Sequence, residues 1–495
     1  MNFKNKAFIV LYSLLLIVFK GFSQDLEFTE VPENNRLYAR DLTDSSTVSI
    51  SGKPKKGFHL EALSLKVYKD GKLYDEQKLE FDGKDFQMST KIDAGLHQFR
   101  FELFVRNNEK DNLYMVADSV VCGDAYIITG QSNSHASSSS ATYSNPYCRS
   151  FGMKTGFEAY DDEDKKIRWG KATGDAPGLE GVGGWFTKNP YGVGVWGMEL
   201  MKQIVEEHQV PVCIINGGSG SSSIEQNMLY PEKSSLETGF GRLAYRVDQA
   251  GLKGKIKAIF WHQGETNSNG DKNYDSYAEN FDQLLTDWKR VYTDLQKVYL
   301  FQLHPGCGGD YQSEVRETQS QIAERYGMVD IMSTTGVAGH DGCHFSYEGY
   351  LEFAHRIFPL VSRDFYNASN TILINPPKLV NITIKDGDKI VLKFDQPITI
   401  ELEKEVNGKV HFLKDQFFLR TDKNQDYKLV VVNRIESDDN QIILELQNKV
   451  DFTQLTYLPN KYYLNTEDVY NGPWIRGAEN NLGALTFDRR TKKDK

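Results

Sequence analysis

The chain has 495 residues, of which 39% are hydrophobic and 25% charged. That balance describes an ordinary globular protein of roughly two to four domains. It excludes wholesale disorder, a collagen-like chain and a polytopic membrane protein. The net charge of −10, with no Lys/Arg run, offers no general attraction for nucleic acid or anionic lipid.

The first element is a targeting segment. Lys4 and Lys6 precede an apolar run of 13 residues, Ala7 to Phe19, and Lys20-Gly-Phe-Ser-Gln24 follows. A positive start, a short apolar stretch and a small-residue exit read as a cleavable signal peptide over residues 1–24. A membrane span needs about 20 apolar residues. No Cys stands at the expected cut, so a lipid anchor is not expected. The mature chain is expected to be exported, secreted or periplasmic, with no membrane association after cleavage.

Residues 25–118 read as a small N-terminal β-sandwich. Leu63-Ser-Leu-Lys-Val-Tyr-Lys69 alternates with period two, Asp70-Gly71 marks a hairpin turn, and His97 to Val105 alternates again. Residues 119–366 change character. Strand candidates Ala125–Ile128, Val210–Ile215, Ile256–Trp261, Val298–Phe301 and Met328–Met332 alternate with helix-like stretches near 194–208, 240–252, 274–294, 312–326 and 346–365. Such alternation predicts an α/β domain with a parallel sheet and helices on both faces. The stretch 134–190 interrupts this rhythm and reads as a long loop insertion. Residues 372–495 return to β patterns, as in Lys389–Phe394 and Gln441–Leu446. They read as a C-terminal β-sandwich ending in a basic, frayed tail at Arg489–Lys495.

The five cysteines, at 122, 148, 213, 307 and 343, are too few for a disulfide scaffold, and none forms a CxxC pair. Their odd number leaves at least one unpaired within the chain. Connectivity cannot be read from spacing.

In an open α/β sheet, ligands bind beyond the carboxyl ends of the strands. The residues there are Thr129-Gly-Gln-Ser-Asn133, Asn216-Gly-Gly-Ser-Gly220, His262-Gln-Gly-Glu265, His304-Pro305 and His340-Asp-Gly-Cys-His344. Each has two readings. Ser132 serves as a nucleophile or a helix N-cap. Gly217 and Gly218 bare their amides to an oxyanion or make a tight turn. Gln263 donates to an oxyanion or is a buried structural amide. Glu265 is a base, a substrate contact with Asn133, or a loop-fixing acceptor. Asp341 and His344 supply a carboxylate and an imidazole from one short segment, a spacing that also arises by chance. His262, His304 and His340 match no usual metal-ligand pattern, so no metal is expected. Trp185, Tyr191, Trp196 and Tyr230 stack on a sugar ring or simply pack.

Taken together, Gly130-Gln-Ser-Asn133, Gly217-Gly-Ser219, His262-Gln-Gly-Glu265 and Asp341-Gly-Cys-His344, in that order, resemble the SGNH (GDSL-like) hydrolase superfamily. More closely, they resemble its sialate O-acetylesterase-like branch, the carbohydrate esterase family 6 type. The resemblance covers about residues 119–366. It implies a flavodoxin-like three-layer α/β/α SGNH hydrolase domain with a parallel sheet, and accessory domains are common in relatives. It implies Ser132 as nucleophile, His344 as general base and Asp341 as its orienter. The oxyanion hole would be the Ser132 amide, Gly218 and Gln263. No cofactor is implied. The expected substrate is acetylated carbohydrate, opened through an acyl-enzyme. Two alternatives stay open: a non-catalytic carbohydrate-binding protein on the same scaffold, and an esterase for a non-carbohydrate ester. Ser134 stands where relatives often carry Met, and a glycine among Gly192–Gly194 is an alternative donor. A bridge from Cys343 to Cys307 would lock the loop of Asp341 and His344. Neither the sugar nor the oligomeric state is encoded.

Overall fold

A computed structural model of the protein describes residues 25–136, 138, 140–152, 168–175, 190–231, 235–270, 274–369, 373–406, 408–421, 424–449, 452–459 and 469–491. The expected signal peptide and Trp185 lie outside the described residues.

The chain forms two compact units. The first takes the described residues up to Pro32, Thr47–Thr90 and Phe99–Asp118. Its strands are β1 (Leu26–Glu30), β3 (Ser45–Pro54), β4 (Ala62–Lys69), β5 (Lys72–Glu80), β6 (Phe86–Asp93) and β7 (Phe99–Asn107), while β2 (Leu37–Ala39) belongs to the second unit. β3 lies between β1 and β6, and β4 pairs antiparallel with both β5 and β7. The expected hairpin turn is there. Asp70 and Gly71 have φ of 50° and 78°, the left-handed pair that lets a two-residue turn follow strand twist.

The second unit is mixed α/β. Its sheet is built on β8 (Lys110–Gly130), β9 (Cys148–Phe151), β10 (Trp169–Lys171), β11 (Val212–Asn216), β12 (Ile256–His262), β13 (Lys297–Gln302) and β14 (Val329–Ser333), in the order β10-β9-β11-β8-β12-β13-β14. Every contact from β9 to β14 is parallel, and only β10 runs antiparallel. The helices are α1 (Ser132–His135), α2 (Val195–His208), α3 (Gly239–Gln249), α4 (Tyr277–Val291), α5 (Gln312–Arg325) and α6 (Tyr347–Phe365).

The central strands are mostly apolar over their middle positions because both faces are covered. Successive side chains point to opposite faces. Ala125, Ile127, Cys213, Ile215, Ile259 and Trp261 enter one core with Leu243 of α3, Trp288 of α4 and Ile322 of α5. Tyr126, Ile128, Val212, Ile214, Ala258 and Phe260 enter another with Leu200 of α2 and Ile357 of α6. Each such aliphatic side chain contributes about 1.5–3 kcal/mol when fully buried.

The stretch 134–190 differs from the expectation of one long loop. β9 and β10 lie within it and extend the sheet at its edge. Their sequences, Cys-Arg-Ser-Phe and Trp-Gly-Lys, are too short and too polar to show a strand period, yet Arg149 and Ser150 are buried. The expected frayed tail also begins as structure: Asp488–Arg490 pairs with Gln454–Tyr457, and Arg489 Nε reaches Glu317 Oε1 at 2.7 Å.

Residues beyond 373 belong to the same unit. Two four-stranded antiparallel sheets share one core, in which Leu392 and Leu444 from one meet Phe417 and Leu455 from the other. The last segment of the chain closes onto the ends of β13 and β14. Gln302 exchanges hydrogen bonds with Thr486 through Nε2 at 3.0 Å and Oε1 at 2.8 Å, and Thr335 Oγ1 donates to the Ala484 carbonyl at 2.6 Å.

Gly130, at the end of β8, has φ of 131°, and a Cβ there would stand 2.1 Å from the His262 carbonyl oxygen. Gly130→Ala is expected to lower stability by about 2–3 kcal/mol through strain and the clash with a neighbouring strand. A urea midpoint equal to that of the wild type would contradict this close approach.

Candidate functional site

The chain order turns at β8: β11 lies on one side of it and β12 on the other. A crevice opens at such a switch point, beyond the carboxyl ends of the strands. Ser132 stands there, at the start of α1 directly after β8. Its side chain does not cap the helix; the N-cap position is Gln131, with no side-chain cap bond.

His344 arrives from the loop between β14 and α6. That loop is a small hairpin: His340 bridges Phe345, and the Asp341 amide donates to the His344 carbonyl at 2.9 Å. Ser346 then caps α6 by accepting from the Gly349 amide. The imidazole Nε2 of His344 lies 3.0 Å from Ser132 Oγ. His344 and Asp341 are exposed and Ser132 is half-buried, so the pair faces solvent.

Asp341 acts on His344 through the backbone. Its Oδ1 accepts from the amides of Cys343 at 2.8 Å and His344 at 2.7 Å. Among the described residues no hydrogen bond joins this carboxylate to the imidazole ring. Partial burial pushes the Asp341 carboxyl up, but the two amides and the nearby imidazoles outweigh it and hold it below the usual range.

The remaining strand-end histidines are packing groups. His262 stacks on Phe353 and Phe301, and His304 stacks on His340 with ring centres 3.9 Å apart. Burial lowers His262 to about 3 and His340 to about 4, and lowers His304 as well, so all three are neutral near pH 7.

The expected oxyanion donors divide. The Ser132 amide, first in its helix, has no intrahelical acceptor. The Gly218 amide is committed to Asn216 Oδ1 at 2.9 Å. A glycine is required there because a Cβ would stand 2.0 Å from Ser134 Oγ. Gln263 is fully buried, and its Nε2 faces Asn267 Oδ1 at 2.6 Å, the Ser222 carbonyl at 3.1 Å and Gln131 Oε1 at 3.3 Å. In this arrangement Gly218 and Gln263 brace the strand-end loops and do not present donors to Ser132. Gly194 is also spent, its amide donating to the Asp175 carbonyl at 2.9 Å.

Asn133 and Glu265 differ from the expectation of substrate contacts, because both are buried and bonded to each other. Asn133 Nδ2 donates to Glu265 Oε1 at 2.9 Å and to the Cys343 carbonyl at 3.0 Å, while its Oδ1 accepts from Tyr350 at 3.0 Å. One side chain thus joins α1, the β12 loop, the His344 loop and α6. Trp196 is fully buried and donates its indole N–H to the Asn133 carbonyl at 3.0 Å, so it packs and does not meet a sugar. Tyr230 is half-buried, with its hydroxyl on the Glu225 carbonyl. Ser134 is buried and donates to the Gln131 carbonyl at 2.6 Å. Gln131 and Asn216 lie inside the strand-end segments and Tyr350 just beyond the last of them, but residue type alone assigns none of the three a role.

The comparisons define the class. Residues 122–362 match the family described as carbohydrate esterase, sialic acid-specific acetylesterase. The protein is a carboxylic ester hydrolase, and this stretch, just under half of the chain, is similar to that family. Among solved structures, a carbohydrate acetylesterase from Xanthomonas citri is similar at 18% identity, over 94% of this chain and 100% of that one, with a TM-score of 0.62. An Arabidopsis thaliana protein is 17% identical over 49% of this chain and 99% of that one, with a TM-score of 0.38. An acetyl xylan esterase from Butyrivibrio proteoclasticus is 9% identical over 70% and 97%, with a TM-score of 0.29. Among curated proteins none matches.

Burial raises the Glu265 carboxyl to about 7 against an ordinary 4.5, opposed by its own backbone and by Asn133. The folded state therefore binds this proton more tightly than the unfolded chain. The associated stability is complete below pH 4.5 and is lost as pH rises through 7. Glu265→Gln keeps an acceptor for Asn133 and removes the charge. The variant is expected to gain at most about 3 kcal/mol relative to wild type between pH 5 and pH 8.5. Parallel pH–stability curves for the two proteins would refute it. Asn133→Ala, which leaves buried Glu265 and Tyr350 and the half-buried Cys343 carbonyl without this partner, is expected to cost about 2–4 kcal/mol by denaturant titration.

Proposed function

We propose that this protein is an exported serine esterase that removes O-acetyl groups from carbohydrate through an acyl-enzyme on Ser132. The observation that carries this reading is the 3.0 Å approach of His344 Nε2 to Ser132 Oγ at the carboxyl end of a parallel sheet. A serine hydroxyl is a weak nucleophile until a base takes its proton, and an imidazole at this distance is placed to do so.

In the first half-reaction Ser132 Oγ attacks the acetyl carbonyl while its proton passes to His344 Nε2. The Ser132 amide, which has no intrahelical acceptor, is the donor proposed for the developing oxyanion. The C–O bond to the sugar breaks, and the imidazolium returns the proton to the departing sugar hydroxyl. In the second half-reaction His344 takes a proton from water, the resulting oxygen attacks the acetyl-serine, and acetate leaves with Ser132 reprotonated. Asp341 holds the turn on which His344 stands.

The wider architecture proposed is a flavodoxin-like three-layer α/β/α domain of SGNH type over residues 119–366. It is flanked by β-sandwiches over 25–118 and 372–495. The two core clusters on opposite faces of the sheet support the first part, and the paired antiparallel sheets with a common core support the last. Export rests on the character of residues 1–24.

The test is acetate release from acetylated sialic acid, xylan and pectin fragments by wild type and Ser132→Ala. Wild type is expected to release acetate from at least one. The variant is expected to be slower by about 1000-fold or more. Variant activity near wild type would overturn Ser132 as nucleophile. Binding to one of these sugars without release would replace the esterase reading with a carbohydrate-binding one.

A further inference from the structure

Cys307 and Cys343 form a disulfide with Cα atoms 4.4 Å apart. Cys343 is the residue before His344. Its amide donates to Asp341 Oδ1, its carbonyl accepts from Asn133 Nδ2, and its sulfur is bonded to the loop after β13. That second loop is itself anchored. Gln312 Nε2 donates to the Cys307 carbonyl, and the Gly309 amide donates to Ser268 Oγ at 3.1 Å. The His344 loop is exposed, so hydrogen bonds at its tip compete with water, whereas the covalent tie does not. Both bridge residues are half-buried at the surface, while Cys122, Cys148 and Cys213 are free and fully buried in the unit's interior.

We propose that the Cys307–Cys343 disulfide is a positioning element for the reaction, holding the His344 imidazole at hydrogen-bond distance from Ser132. This rests on the serine-esterase reading. The tether fixes the backbone one residue before the base, at the residue whose carbonyl Asn133 also holds. Cutting it frees the loop tip to move by about an ångström or more, and displacements of that size cost of the order of 100-fold in rate when they separate reacting groups. The proposed effect is on the placement of the base, so the loss is expected in kcat with KM nearly unchanged.

The bridge is counted first. Alkylation of the denatured, unreduced protein is expected to label three thiols, and labelling of all five cysteines would overturn the proposal. Hydrolysis of p-nitrophenyl acetate then compares wild type, wild type treated with dithiothreitol, and Cys307→Ala. In the treated protein dithiothreitol gives two electrons and two protons to the bridge, yielding two thiols and its own cyclic disulfide. Both bridge-free forms are expected to lose about 10-fold or more in kcat with KM within about 2-fold, and re-oxidation of the treated wild type is expected to restore turnover. Hydrogen exchange supplies a readout independent of catalysis: the amides of Cys343 and His344, both held by Asp341, are expected to exchange about 10-fold faster without the bridge. Unchanged kcat and unchanged exchange in a folded, bridge-free protein would overturn the inference. Faster exchange in a protein whose wild type hydrolyses no acetyl ester would leave the loop tether standing and overturn the esterase reading instead.

Discussion

The parallel register of six strands is the constraint on which the site depends. Ser132 and His344 are 212 residues apart in sequence and 3.0 Å apart at Oγ and Nε2. Parallel strands send all their carboxyl ends to one side, so every strand-to-helix loop opens at the same edge. β8 leads to Ser132, β12 to Gln263 and Glu265, β13 to the loop of Cys307, and β14 to Asp341 and His344. The cost of this convergence is long-range closure, and the two apolar cores that sandwich the strands offset it.

Around the exposed Ser132–His344 pair the structure builds a dry polar frame. Gln131 Oε1 accepts from Gln263 Nε2, the Gly264 amide and the Thr266 amide, at 3.2–3.3 Å. Asn216 holds the Ser134 and Val193 carbonyls and the Gly218 amide. Asn133 joins Glu265, Cys343 and Tyr350. Satisfied side-chain amides of this kind fix loop geometry without placing charge in the interior. Glu265 is the one carboxyl in this frame, and its raised pKa reflects the same dry surroundings. The frame also accounts for its glycines. Gly130 and Gly218 each stand where backbone or a hydroxyl approaches too closely for a Cβ.

The C-terminal region takes part in this arrangement. Thr486 fills the hydrogen-bonding needs of Gln302 at the end of β13, and Trp474 packs edge-on against His304, which stacks on His340 in the loop that carries His344. A cut after α6 would therefore expose buried polar groups at the edge of the sheet. Similarity to the Xanthomonas citri structure over nearly the whole chain agrees with a fold in which these parts belong together.

Much was legible from the chain alone. Apolar runs of strand length alternating with amphipathic stretches placed β8, β11, β12, β13, β14 and the helices α2 to α6, because burial on two faces demands those runs. The residue types at the strand ends were equally plain, and so was the Asp70-Gly71 turn. What only the tertiary structure decided is the role of each polar side chain. Nothing local distinguishes Gln263 as a donor to an oxyanion from Gln263 as a brace, since that depends on which acceptors other loops bring within 3 Å. The same holds for Asn133, for Glu265, for the pairing of Cys307 with Cys343, and for β9 and β10, whose polar residues are buried only because distant segments cover them. Periodicity is a property of neighbours in sequence and survives without the fold. Hydrogen-bond partnership and desolvation are set by neighbours in space, and a single sequence does not carry those distances.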